Sequence, residues 1–246
     1  MRQVRQTRYQ AIADDLRSRI AAGAVGAGRL LPSESELSAD YGASRVTVRR
    51  ALEALRSEGL VESRQGLGWL VAADPLRQTL GRLGTIEAQL AAEGRRSERL
   101  VLEFGFGPAP ARARRRLDAG DVLTVRRLNL ADGEPFALVT VWCPESLGAE
   151  LSRADVERSP FYELIGVPLG GATQTIAAGA ATADEAAPLG VPEGSPVLRC
   201  ERVTRDVRGA VVLVSEHVFP AHLTEFVVDI PHVDASSAAA GLRLLP

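Results

Sequence analysis

The sequence has no lysine, only two cysteines and three histidines, and none of its apolar runs is long enough for a membrane. Each shortage excludes a class of chemistry. Cys143 and Cys200 are too few and too isolated for a disulfide framework, and neither stands in a Cys-x-x-Cys spacing, so a reducing cytoplasm is the expected setting. No stretch approaches the roughly 18 uninterrupted apolar residues that a spanning helix needs. Met1 to Tyr9 is basic with no apolar run behind it, so neither export nor a membrane partner is expected. His217, His222 and His232 are too loosely spaced for a zinc site and read as structural. There is no Gly-x-Ser-x-Gly elbow. Gly170-Gly171 and Gly105-Phe106-Gly107-Pro108 lack the strand, glycine loop and helix order that cradles phosphate. No catalytic group, metal or cofactor is therefore expected. With 29 basic residues, all arginine, any anion will meet guanidinium forks and not ammonium groups.

What is present is an ordinary globular balance, 46% hydrophobic and 24% charged, over 246 residues, enough for one large domain or two of ordinary size. The net charge of −2 is unevenly spread. Residues 1–73 carry 11 arginines against 8 acidic residues, whereas residues 74–246 carry 18 against 23. The leading part is basic and the remainder acidic, so the two differ in the partners they attract.

Within the basic part, Ile12, Leu16 and Ile20 recur every four residues between Tyr9 and Ala22, which predicts an amphipathic helix. Three glycines at 23, 26 and 28 stop it. Ser33 followed by Glu36 is a capping box that opens a short second helix to Tyr41. Ser44 then caps a third helix to about Glu58, with Val48, Ala51, Leu52 and Leu55 on its inner face. Leu60 to Val71 alternates around a glycine turn and predicts a hairpin. Three helices and a hairpin make a winged helix-turn-helix. In that motif the start of the third helix enters the major groove, so Arg45 and Thr47 in its first turn would reach base edges, with Arg49 and Arg50 projecting away from the core. Gly66 at the wing tip would let backbone approach DNA. Arg17, Arg19 and Arg56 read as a solvated face.

Residues Tyr9 to Ala72 carry Leu31-Pro32-Ser33-Glu34-Ser35-Glu36-Leu37, Ser44-Arg45-Val46-Thr47-Val48-Arg49-Arg50-Ala51-Leu52, Glu58-Gly59-Leu60-Val61 and Arg64-Gln65-Gly66-Leu67-Gly68. This stretch resembles the DNA-binding domain of GntR-type bacterial transcription regulators. The resemblance implies a DNA-facing surface of Ser35, Ser44, Arg45, Val46, Thr47, Arg49, Arg50, Arg64, Gln65 and Gly66. Ser35 stands where the family often has arginine, and Val46 where a polar residue is frequent, so an operator preference different from the commonest one is expected.

Ala73-Asp74-Pro75 marks a boundary, giving a DNA-binding domain over 1–73, a linker over 74–80 and a second domain over 81–246. A helix is expected at Thr85 to Gly94, and a short solvated helix at Pro110 to Leu117 carrying Arg112, Arg114, Arg115 and Arg116. Strands are expected at Val122–Leu130, Phe136–Trp142, Gly170–Ala183, Pro196–Arg205, Val211–Phe219 and Phe226–Ile230, with an Asp132-Gly133 hairpin turn. Short helices are expected near Leu151–Asp155, Phe161–Ile165 and Asp184–Leu189. That is an α+β domain with a mainly antiparallel sheet.

Leu128 to Ala137, Phe161-Tyr162-Glu163-Leu164, Asp184-Glu185-Ala186, Leu189 to Leu198 and Val214-Ser215-Glu216-His217 look like the UTRA ligand-binding domain of the HutC subgroup. The resemblance implies a chorismate-lyase-like fold used as a small-molecule sensor, with an effector site at Thr85, Arg127, Asn129, Tyr162, Ser215 and Glu216. Asn129 stands where a second arginine is frequent and Val139 where an acid is frequent, which implies a ligand less charged than a sugar phosphate. The expected protein is a cytoplasmic homodimeric regulator, more a repressor than an activator. It would bind a pseudo-palindromic duplex operator and be released by a small acidic or polar effector. An enzyme of chorismate-lyase type with a DNA-binding head, and an effector-independent protein that bends DNA, are the alternatives.

Overall fold

The computed structural model describes residues 7–80, 90–91 and 94–228. Three helices form the first unit: α1 (Arg8–Ala21), α2 (Glu34–Asp40) and α3 (Arg45–Ser57). A hairpin of β1 (Val61–Arg64) and β2 (Gly68–Val71) closes it. The capping box at the start of α2 is formed, since Glu36 N donates to Ser33 Oγ at 3.2 Å and Ser33 N donates to Glu36 Oε2 at 2.8 Å. Ser44 caps α3 by accepting from Thr47 N at 3.2 Å. Between the two helices Gly42 takes φ 54°, a left-handed value that a β-carbon disfavours. With both helix starts fixed, Ile12, Leu16, Leu37, Val48, Leu52 and Leu55 converge on one core. Each such side chain contributes about 1.5–3 kcal/mol by leaving water.

The rest of the chain folds on β4 (Ser97–Pro108), β5 (Asp121–Ala131), β6 (Glu134–Pro144), β7 (Leu169–Ala180), β8 (Pro196–Asp206) and β9 (Val211–Pro220). They make one six-stranded antiparallel sheet ordered β4-β5-β6-β9-β8-β7. Two meanders meet where β6 pairs β9. The β5–β6 turn has the expected hairpin chemistry, with φ 54° at Asp132 and 83° at Gly133. Short helices lie between and beside the strands: α4 (Ala111–Arg114), α5 (Glu145–Gly148), α6 (Arg153–Arg158), α7 (Phe161–Leu164) and α8 (Ala183–Leu189).

Two strands fall where none was expected. β3 (Leu76–Thr79) pairs in parallel with β10 (Thr224–Val227), so most of the 74–80 segment expected as a linker is held as a strand. The edge strand β4 escapes the alternation rule because a bulge at Val101/Glu103 resets its register. Val101 and Phe104 thereby both join the larger core cluster. The helix expected at Thr85 to Gly94 lies largely outside the described residues.

The sheet buries both faces. On one, Val101, Val125, Val139, Val141 and Cys200 pack under α6, α7 and Phe226. On the other, Leu128, Leu138 and Val218 pack on α8, while Val122, Trp142, Val203 and Val214 pack on the α4 segment.

Candidate functional site

The first turns of α3 present their polar side chains already anchored. Arg45 Nη2 donates to Ser35 Oγ at 2.8 Å. Arg49 forks onto Glu34, with Nε at 2.9 Å from Oε1 and Nη2 at 2.6 Å from Oε2. Glu34 also accepts from Trp69 Nε1 of the wing at 3.2 Å. One carboxylate thus ties α2, α3 and β2 together. The Arg49 fork holds Glu34 below the usual carboxylate range, against the partial burial that would raise it. Ser44 Oγ and Thr47 Oγ1 lie 2.8 Å apart and share a hydrogen bond. Arg45, Val46 and Arg49 remain exposed, as do Ser35 and Ser44. On the wing, Gln65 and Gly66 are exposed, and Gly66 takes φ +78° with open space where a β-carbon would stand. Arg64 pairs with Glu62 at 3.0 Å.

Two arginines do more than face solvent. Arg50 is exposed, as expected, and its guanidinium also lies over the Tyr9 ring at 4.3 Å, which braces α3 on α1. Arg17 is not merely solvated either, since it pairs with Asp14 and, at 2.7 Å, with Glu58.

A second constellation lies on the sheet face beneath α7. Register places Arg127, Val139, His217 and Cys200 in one row across β5, β6, β9 and β8, with Ser215 and Arg202 facing each other in the adjacent row. Arg127 is 7% exposed and Asn129 4%. Asn129 Oδ1 is a buried acceptor with no hydrogen-bond partner among the described residues. Arg202 Nη1 donates to Tyr162 Oη at 2.8 Å, and its Nε donates to Gln174 Oε1 at 2.8 Å. His217 shares a hydrogen bond with Ser215 Oγ at 2.9 Å. Burial, then Arg202 and Arg127, push the imidazole pKa well below its usual 6.5, so the ring is neutral.

Of the residues expected here, Arg127, Asn129, Tyr162 and Ser215 meet on this face, and Thr85 lies outside the described residues. Glu216 is a correction. Next to Ser215 on the strand, it points to the opposite face, where its carboxylate pairs with Arg112. Arg116 likewise reaches Glu201 at 2.8 Å, so the basic α4 segment is fastened to the sheet and not simply solvated. Sequence reasoning missed Arg202 and His217. The signal was available in strand alternation, which groups Ser215 with His217, and Cys200 with Arg202.

This arrangement is suited to binding and not to catalysis. A serine–histidine pair acting as nucleophile and base needs a group that accepts from the second ring nitrogen. Here the charged neighbours acting on the imidazole are arginines, and Glu216 faces away. Burial raises the Cys200 thiol to about 12, which leaves it protonated and unreactive. Among the described residues there is no cluster of histidine, cysteine and carboxylate groups fit for a metal ion.

Fold and surfaces together define a winged helix-turn-helix head joined to an α+β domain with arginines on one sheet face. Residues 8–71 match the family of bacterial regulatory proteins called gntR, and residues 92–224 match the UTRA domain. The chain is 37% identical over 216 residues to the HTH-type transcriptional regulator Rv0792c of Mycobacterium tuberculosis, covering 84% of this chain and 80% of that one. It is 29% identical to the HTH-type transcriptional repressor NagR of Bacillus subtilis, covering 80% and 83%. Among solved structures, PhnF from Mycobacterium smegmatis superposes with a TM-score of 0.60 at 26% identity, over 91% of this chain and all of that one. The chain belongs to the GntR family, in its UTRA-bearing, HutC-like subgroup. It is a DNA-binding transcription regulator and not an enzyme.

Proposed function

We propose that this regulator is a cytoplasmic repressor that binds a pseudo-palindromic operator as a homodimer and releases it when a small acidic or polar metabolite binds the second domain. The observation that carries the reading half is the anchoring of Arg45 on Ser35 and of Arg49 on Glu34, which sets two guanidinium groups in place before DNA arrives. Ser44, Val46, Thr47, Arg64, Gln65 and Gly66 complete the surface, with Arg50 in a bracing role. A two-fold dimer matches two half-sites. The exposed Leu100, Leu102 and Phe106 of the edge strand β4 support self-association. Among its relatives, NagR is named a repressor.

The sensing half rests on Arg127, Asn129, Tyr162 and Ser215, joined by Arg202 and His217, with Thr85 at the start of the expected helix. Arg127 and Arg202 in adjacent rows of one sheet face favour an anion, while Val139 in the row with Arg127 and His217 contributes no charge. A ligand with an acidic group and a hydrogen-bond donor for Asn129 fits this better than a sugar phosphate. The domain division 1–73 and 81–246 goes with this reading, residues 74–80 being the join.

Gel shifts of the purified chain on its own upstream DNA, with mass spectrometry of any molecule that it retains, test the whole. A retained acid should dissolve the complex. Arg127→Ala should abolish that response and leave operator affinity unchanged. Equal loss of both, in a folded variant, would overturn the separation of reading from sensing.

A further inference from the structure

Val46 stands in the first turn of α3 and is 79% exposed, the most exposed large hydrophobic side chain among the described residues. Every polar neighbour in that stretch is engaged within its own unit. Ser44 and Thr47 share a hydrogen bond, Arg45 donates to Ser35, Arg49 forks onto Glu34 and Arg50 lies over Tyr9. Val46 is different, since the buried residues of its helix, Val48, Ala51, Leu52 and Leu55, lie on the inner face and Val46 is not among them. It is a β-branched residue on the outside of a helix, where alanine would be the better former. The core thus gives no reason for a valine here.

Duplex DNA gives one. In the major groove the only apolar group that a base pair offers is the C5-methyl of thymine, and an apolar side chain at the start of a recognition helix is its natural partner. We infer that Val46 is a specificity-determining residue that selects thymine at one position of each half-site by packing on its C5-methyl group. The inference rests on the reading of α3 as the DNA-facing helix. The flanking anchors make the contact selective. Arg45 and Arg49 are held by α2, so the valine between them is presented in a fixed register, and a base pair without the methyl leaves an apolar side chain against polar edges.

The test uses the full-length chain and a duplex recovered by in vitro selection from random-sequence DNA. Each thymine of that duplex is replaced in turn by deoxyuridine, which removes only the methyl group. One thymine per half-site should lose about fourfold in affinity on replacement, the equivalent of one buried methyl at about 0.8 kcal/mol. With Val46→Ala, an exposed change that also improves helix propensity, the same replacement should have a clearly smaller effect, and affinity for the thymine duplex should fall by a similar factor. Deoxyuridine replacement without effect at every position, or with the same effect in the alanine variant, would overturn the inference while leaving operator binding intact. If selection enriches no sequence, and Arg45→Ala and Arg49→Ala leave DNA affinity unchanged, the reading of α3 fails and Val46 with it.

Discussion

Glu34 shows how much a single side chain can organise without being one of the groups that read DNA. In the sequence it looks like an acidic residue at a helix start, where it complements the dipole. In the fold it receives Arg49 and Trp69 together. Nothing in the local pattern signals this, because its partners lie 15 and 35 residues away. Glu34→Gln keeps the shape but cannot meet the Arg49 fork with two anionic oxygens. We expect the ratio of operator to non-specific binding to fall roughly tenfold, while non-specific affinity holds or rises because one negative charge is gone. Competition binding against random duplex measures both, and an unchanged ratio would show that Arg49 needs no such support.

His217 makes the second prediction at this scale. Its folded-state pKa lies well below the 6.5 of an exposed histidine. Between those two values the unfolded chain holds a proton that the folded chain refuses, so stability is lost as pH falls below the ordinary value. His222, also depressed by burial, adds to the same slope. The melting temperature should drop from about pH 7 to about pH 5, and His217→Gln should flatten part of that drop. A variant whose pH profile superposes on the parent would mean that the ring is not buried as described.

At the scale of elements, legibility followed the strength of local chemistry. The three helices of the head were readable because each has a cap or a clear apolar period, and their observed bounds differ from expectation by a residue or so. Central strands of the sheet were readable because Val and Leu runs bounded by turn residues are dense there. β4 was not, since its apolar residues change face at the bulge and glycines interrupt its second half. β3 was not, since four residues after a proline carry almost no period and depend on a partner about 150 positions away. The energetic consequence is clearest in α2. This seven-residue helix is too short to stand alone and is held by Leu37, which is fully buried. Leu37→Ala should destabilise the chain by about 2–5 kcal/mol in denaturant titration and detach Glu34 and Ser35 from α3. A loss under about 1 kcal/mol would place α2 outside the cooperative core.

At the scale of the whole molecule, the glycines that appear in the sequence only as helix stoppers acquire a second use. The segment between α1 and α2 lies against the sheet domain so closely that a β-carbon on Gly26 would stand 2.0 Å from Glu134 Oε1, and one on Gly28 2.1 Å from Leu223 Cδ2. In that contact Arg29 pairs with Glu134 at the tip of the β5–β6 hairpin and donates to Leu189 O at 2.7 Å. His222 Nε2 and Gly28 O are 2.9 Å apart. Arg29 therefore joins the head to elements that support the candidate effector face, since β5 also carries Arg127 and Asn129, and α8 packs behind it. A change of hairpin position on ligand binding would be felt at the base of α2, which in turn holds Arg45 and Arg49. Coupling of this kind is a free energy shared by two sites, typically about 1–3 kcal/mol, and it needs a physical joint. Arg29→Ala removes that joint without touching either surface. Operator affinity in the absence of ligand and ligand affinity in the absence of DNA should each stay within about twofold, while the factor by which a retained ligand weakens the operator complex should fall toward one. Gel shifts and calorimetry on the same preparation read the three quantities. If the factor survives intact, the signal crosses from the effector face to the head by another route, and the Arg29 contact only fixes the resting arrangement.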